Sequence, residues 1–217
     1  MTSVPASVRT SSPRRRLRRG EGALLHTEVL DAVDRLLLAG ADEGAISVRR
    51  IAAEVGVSPP AIYRHFPDKA TLLFSVCERH FAAFDQALLE AEAGVTDPLE
   101  ALYARGRAYA QFGLSNPEYY RILFMGRSGA DPQNWSAERL GAAAAFTHQV
   151  EAVQRCIDSG AFAPLADARL IAIGLWAAVH GVVSLVISKP GFPWPPLDIL
   201  VDHVLDTCGA GLAAQAG

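Results

Sequence analysis

Two adjacent prolines, Pro59 and Pro60, stand inside VGVSPPAIYRHFPDK (55–69), a stretch whose apolar spacing is otherwise that of helix. Proline lacks a backbone N–H and breaks a helix interior, yet the first turn tolerates it, because donors there have no intrahelical acceptor to lose. The pair therefore fixes where a helix must begin. Ser58 precedes it in the N-cap position, and Gly56 occupies the place past a helix end where a left-handed backbone is needed. Upstream, Ser47 caps VRRIAAEV, which puts Ile51 and Val55 on one face. The chain here reads as two short helices around a Gly56 turn, the second running from Pro59 to about Phe66 with Ile62 and Phe66 inward.

Similar punctuation organises the remainder. Leu25, Val29, Val33 and Leu36 recur at helical spacing, predicting a helix that ends near Gly40, followed by the loop GADEGAI. PDK opens a long helix through LLFSVCERHFAAFDQALLEAE. Further helices are expected at about 97–114, 117–127, 134–159, 166–188 and 196–213. Asn116-Pro117, Asp131-Pro132, Ser159-Gly160 and KPGFPWPP separate them. With no convincing period-2 run, the fold class is all-α. The expected organisation is a disordered basic arm at 1–20, a three-helix helix-turn-helix domain at 21–80 and a larger helical domain at 81–217.

The net charge of −3 conceals an asymmetry: residues 1–20 carry six arginines and no acid, and the rest of the chain is −9. A basic, Ser/Pro-rich arm on an acidic body points to a polyanionic partner at one end. It could enter a minor groove, add only sequence-independent phosphate contact, or be a solvated tail. Cys77, Cys156 and Cys208 are far apart and form no C-x-x-C, and the arm lacks a signal-like apolar run, so a cytoplasmic, reduced setting is expected. Leu170 to Ser188 is uncharged and long enough to span a bilayer. His180 near its middle and the absence of a second such segment favour a buried helix of a soluble assembly, with no membrane partner.

A helix-turn-helix works by geometry: the first helix braces the second, whose N-terminal residues meet base edges in the major groove. Ala52 is small where the helices cross, Val57 plugs the turn and Ile62 faces the core. Tyr63, His65 and Lys69 then fall on the opposite side as phosphate-reach donors, and Lys69 lies where the next helix begins. Arg49 and Arg50 sit early on the bracing helix.

On these residues SVRRIAAEVGVSPPAIYRHFPDKATLL resembles the DNA-binding region of the tetracycline-repressor (TetR) family, over about Leu24 to Val76, with GVS-x-x-AIY-x-HF-x-DK as its specific core. LWAAVHGVVSL and NPEYYRILF resemble, less specifically, the C-terminal domain of a Trp-His-Gly subgroup. The resemblance implies a homodimer on double-stranded, near-palindromic operator DNA. The domain at 81–217 is then expected to dimerise and to bind, in a pocket, a small-molecule effector that switches DNA affinity. Carried over by position, Tyr63, His65 and Lys69 match phosphate contacts, and Arg49 with Pro59, Pro60 and Ala61 match positions near bases. Ser47 and Ser58, at the two helix starts, join the DNA-facing set. Pro59, Pro60 and Ala61 depart from the polar base-readers common in the family; they offer only apolar contact, leaving specificity to Arg49, Arg64 and DNA shape.

For the effector, Phe112, Tyr120, Phe124, Trp176 and His180 are expected to line a largely apolar cavity, although Trp176 and His180 read equally as core. Gly174-x-x-x-Ala178 and Ala177-x-x-x-Gly181 place small residues where helices approach closely, either at a dimer interface with the helix at 196–213 or within one subunit. No cofactor is expected. H-E-x-x-H, G-x-x-x-x-G-K-[ST] and G-x-S-x-G are absent, and the six histidines form no metal-ligand spacing. Gly209–Ala214 matches G-x-G-x-x-A only formally, with no strand before it. The expected function is a ligand-responsive transcriptional regulator, most simply a repressor and not an enzyme. The alternative is a dimeric helical small-molecule-binding or enzymatic protein with a vestigial helix-turn-helix.

Overall fold

The computed structural model describes residues 22–39, 46–125, 141–163 and 167–213. Among these the chain is all-α, as expected, with no strand. The helices are α1 (Gly22–Leu38), α2 (Val48–Val55), α3 (Pro59–Tyr63), α4 (Lys69–Glu92), α5 (Pro98–Ser115), α6 (Pro117–Tyr120), α7 (Gly141–Asp158), α8 (Ala168–Ser188) and α9 (Leu197–Ala213). The arginine arm, most of GADEGAI and the Asp131-Pro132 break lie outside the described residues. Two compact units divide between Val76 and Cys77, within α4.

In the first unit α1 buries Leu25, Val29, Val33 and Leu36, the stripe its spacing predicts, and α2 packs on it through Ile51 and Ala52. Ser47 caps α2 by accepting the Arg50 N–H at 3.2 Å. Gly56 ends α2 with φ +78°, and both the Gly56 and Val57 N–H groups close on the Ala52 carbonyl. Val57 is buried behind them. Only glycine holds that backbone without strain, so α3 leaves α2 at a fixed angle.

α3 is shorter than expected, stopping at Tyr63 instead of near Phe66. The His65 and Phe66 N–H groups still bond the Ile62 carbonyl. Pro67, however, disfavours helical backbone at the residue before it, so the chain turns and drops the Phe66 ring into the core. The next start is capped by Asp68, whose carboxylate accepts the Thr71 N–H at 2.7 Å. That bond lowers the Asp68 pKa.

In the second unit Asp97 and Asp167 cap α5 and α8 by accepting the Glu100 and Arg169 N–H groups, each at 2.9 Å. The helix expected at 117–127 is divided: α6 is a single turn, and Arg121–Met125 form a π-helical turn. Widened turns of this kind re-aim side chains and recur at functional places. α5 and α9 come close through reciprocal notches. The bare Cα of Gly106 receives the Leu205 side chain, and Gly209 receives the Tyr103 ring.

Candidate functional site

Two places in the molecule can carry function, one in each unit. In the first, the described surface around α2 and α3 exposes five of the ten residues expected to face DNA. Ser47, Arg49, Pro60 and Arg64 are exposed, and Tyr63 is 50% exposed although it is large and aromatic. Ser58, Pro59, His65 and Lys69 are half-buried. The His65 ring stands edge-on to His26 at 6.4 Å between centroids. Ala61 departs from the set: at 6% exposure its methyl packs into the head with Ile62. The donor-free tip therefore consists of the two prolines.

The capping of α3 also differs from expectation. Pro59 and Pro60 fill its first two positions, but the Ser58 hydroxyl caps nothing. The prolines have removed two donors, and the next one, Ala61 N–H, is taken by the Ser58 carbonyl at 2.9 Å. The Ser58 hydroxyl is therefore not committed to the helix it precedes.

In the second unit a cavity of about 150 Å³ opens among α4, α5, α7, α8 and α9. Its wall is dominated by aromatic side chains, including Phe81, Phe84, Tyr109, Phe124, Phe146 and Trp176. Of the five residues expected there, Phe124 and Trp176 line it. Phe124 comes from the π-helical turn and lies between the rings of Tyr120 and Phe84. Phe112, Tyr120 and His180 instead form the layer behind the wall. Phe112 is edge-on to Phe84, and Tyr120 is fully buried.

Wall and second layer are joined by a hydrogen-bonded chain. Trp176 Nε1 donates to Tyr109 Oη at 3.0 Å, and Tyr109 Oη lies 3.0 Å from Tyr120 Oη. Tyr120 Oη in turn lies 2.6 Å from His180 Nδ1. Burial pushes Tyr109 up to about 12 and Tyr120 higher still, so both hydroxyls keep their protons. Burial also lowers the His180 pKa, which favours the neutral ring. The Tyr120–His180 contact therefore shares one proton, its side set by the ring tautomer, and Tyr109 Oη lies 3.3 Å from the same Nδ1.

Sequence reading missed the most polar residue of the wall. Arg105, on α5, is 1% exposed and lines the cavity. Its Nε donates to Gln149 Oε1 and its Nη2 to the Ala145 carbonyl, each at 3.0 Å. Asp85 and Glu92 of α4 flank it at 3.6 and 3.7 Å. Burial lowers its pKa while the two carboxylates raise it. A signal was present: Arg105 falls on the inward stripe of α5, with Ala101, Leu102 and Tyr109, where spacing calls for an apolar residue.

On α8 the small residues Gly174 and Gly181 meet nothing within 4 Å of an added Cβ. Around them Leu170, Ile173 and Leu185, and Ile199 on α9, are exposed, up to 62% for Leu170. By length and composition α8 could cross a membrane. The three cysteines are free, and no cluster of metal-ligating groups occurs among the described residues.

Comparison with known proteins agrees with this geometry. Residues 37–76 match the model of bacterial regulatory proteins of the tetR family, and residues 102–208 match a tetracyclin repressor-like C-terminal domain. The C-terminal match does not specify the Trp-His-Gly subgroup. The chain is 32% identical over 161 residues to the HTH-type transcriptional activator FasR of Mycolicibacterium smegmatis, covering 74% of this chain and 68% of the relative. A protein of unknown function from Rhodococcus sp. RHA1 superposes with a TM-score of 0.72 at 28% identity, over 87% of this chain and 95% of that one. The fatty acid degradation regulator FadR of Bacillus halodurans shares the fold, with a TM-score of 0.70 at 18% identity, over 90% and 98% of the two chains.

Proposed function

We infer how this chain works from the family to which it belongs, the tetracycline-repressor family of ligand-responsive, DNA-binding transcriptional regulators. Its α2–α3 head reads DNA as one half of a homodimer, and an effector in the aromatic cavity lowers DNA affinity. The observation that carries the reading is the exposure of Tyr63, Arg64 and Arg49 around a helix start fixed by two prolines, while Ile51, Val57, Ile62 and Phe66 of the same head are buried. Tyr63, His65 and Lys69 supply phosphate contacts, and the uncommitted Ser58 hydroxyl adds a donor. Arg49 and Arg64 supply what base contact there is, with Pro59 and Pro60 restricted to apolar contact.

The dimer forms on the outer faces of α8 and α9. Exposed Leu170, Ile173, Leu185 and Ile199 surround glycines that leave room for a closely packed helix, and burying them against a second copy removes apolar surface from water. α4 couples the two functions through the chain itself. It begins at Lys69 and carries Phe81, Phe84 and Leu88 of the cavity wall farther along. An effector that favours one packing of α4 shifts the population of heads spaced for DNA by its differential affinity.

DNA selection with the purified chain at stated salt tests the reading, and enrichment of a near-palindromic site is expected. Lys69→Ala should weaken all enriched sites about equally and flatten the salt slope by roughly one unit. Selection that enriches no sequence would refute the regulator reading in favour of a helical binding protein with a vestigial head. The relative FasR is an activator, so affinity is measured with and without effector. Tighter binding with effector would refute release as the mode of action.

A further inference from the structure

Arg105, a residue of the cavity wall, carries one guanidinium nitrogen without a hydrogen-bond partner among the described residues. Four contacts account for most of the Arg105 guanidinium: Gln149 on Nε, the Ala145 carbonyl and Asp85 on Nη2, and Glu92 near Nη1. Glu92 lies 3.7 Å from Nη1, too far for a hydrogen bond. Nη1 is buried and has no hydrogen-bond partner among the described residues. A buried N–H without an acceptor is costly, and the site gains whenever one arrives.

Charge decides what kind of acceptor fits. Arg105 is already flanked by two carboxylates. Asp85 also bonds His148 at 2.9 Å, and Glu92 also pairs with Arg155 at 3.1 Å. The cluster is balanced as it stands, so a further carboxylate would meet two like charges around one guanidinium in a poorly solvated place. A neutral oxygen meets no such repulsion. The other wall residue that touches the guanidinium agrees in sign. Gln149 spends its oxygen on Arg105 Nε, so its amide nitrogen is left as a second donor.

Resting on the reading of this cavity as the effector site, we propose that its ligand is an uncharged, largely apolar molecule with a carbonyl-type acceptor. A ketone, ester or amide oxygen accepts from Arg105 Nη1, and the apolar part lies among Phe81, Phe84, Phe124 and Trp176. The cavity as built, about 150 Å³, suits a group the size of one aromatic ring.

The test uses the full chain and three probes of nearly one shape: acetophenone, benzoate and ethylbenzene. Affinities are read by ligand-observed NMR titration at neutral pH on the wild type, on Arg105→Lys and on Val179→Phe, which fills the cavity. Acetophenone should bind about tenfold tighter than either of the others, the value of one hydrogen bond to a charged donor. Arg105→Lys, which keeps the charge and removes the fork, should bring acetophenone within about twofold of ethylbenzene, and Val179→Phe should abolish binding. The wild-type ranking decides the matter even if a variant fails to fold. Equal binding of ethylbenzene and acetophenone, both lost in Val179→Phe, overturns the acceptor and leaves the effector cavity standing. Tightest binding by benzoate overturns the neutral class. Binding of no probe, or binding indifferent to Val179→Phe, overturns the proposal and the effector cavity together.

Discussion

Replacing Gly113 by alanine sets two opposed effects against each other, and the structure says which prevails. Alanine is the better helix former by about 1 kcal/mol in a helix interior, and by less here because Gly113 lies in the last turn of α5. Against this, an alanine Cβ would lie 2.5 Å from Val183 Cγ1 and 2.8 Å from Tyr120 Cδ2. Val183 and Tyr120 are both fully buried, so neither can swing aside. Overpacking of such a core costs about 1–3 kcal/mol. Offsetting a propensity gain of about 0.5 kcal/mol leaves an expected loss of about 0.5–2.5 kcal/mol. Urea unfolding followed by tryptophan fluorescence isolates the effect, because Trp135, Trp176 and Trp194 all fall after Cys77 and report on the second unit. Protein concentration must be held constant, since self-association shifts apparent stability. Gly211→Ala, also helical but with open space at its Cβ, is the control and should gain up to about 1 kcal/mol. Equal stability of Gly113→Ala and wild type, or a gain matching Gly211→Ala, would refute the packing argument.

Three further outcomes follow from contacts already described. Ser47→Ala should destabilise the head by about 1 kcal/mol, whereas Ser58→Ala should cost no more than a few tenths, because only Ser47 accepts a backbone N–H; hydrogen exchange of the α2 and α3 amides separates them. Burial lowers the His180 pKa below its ordinary 6.5, so the unfolded chain takes up the proton first. The stabilising contribution is complete above pH 6.5 and falls away as pH drops toward the folded pKa, and His180→Gln should flatten that limb of the urea midpoint. Leu185→Glu, at a position 51% exposed in one protomer, should leave the helical circular dichroism intact while halving the mass seen by light scattering. An unchanged mass would remove α8 from the interface.

The head was largely legible from sequence because its rules are local. A positive-φ glycine, two prolines in a first turn and a capping serine each act within four residues, and the structure honours all three at Gly56, Pro59–Pro60 and Ser47. Misreadings arose where neighbours compete for one group. Ser58 loses its capping role because its own carbonyl already holds the donor, and Ala61 is buried in the head beside Ile62. The cavity was less legible. Tyr120 and His180 are polar aromatic residues of the right helices, but neither meets the cavity, whose wall takes Phe124 from the π-helical turn instead. Arg105 shows the same limit: its stripe position was readable, but its pairing with Asp85 and Glu92 requires knowing that α4 and α5 lie side by side.

The notches between α5 and α9, and the placing of α8, have a consequence for how the chain responds to its own concentration. Leu205 and Gly209 face the cavity from α9 and Trp176 and Val179 from α8, while Ile199, Ile173 and Gly174 lie on exposed faces of the same two helices. The two helices form a party wall about 10 Å thick, with the aromatic cavity on one side and an exposed apolar face on the other. A partner that stiffens the wall from outside changes the cost of admitting a guest from inside, and the guest changes the partner's affinity by the same factor. Apparent effector affinity should then drift with protein concentration across the range where copies associate, a dependence that neither the cavity nor the outer face would produce alone.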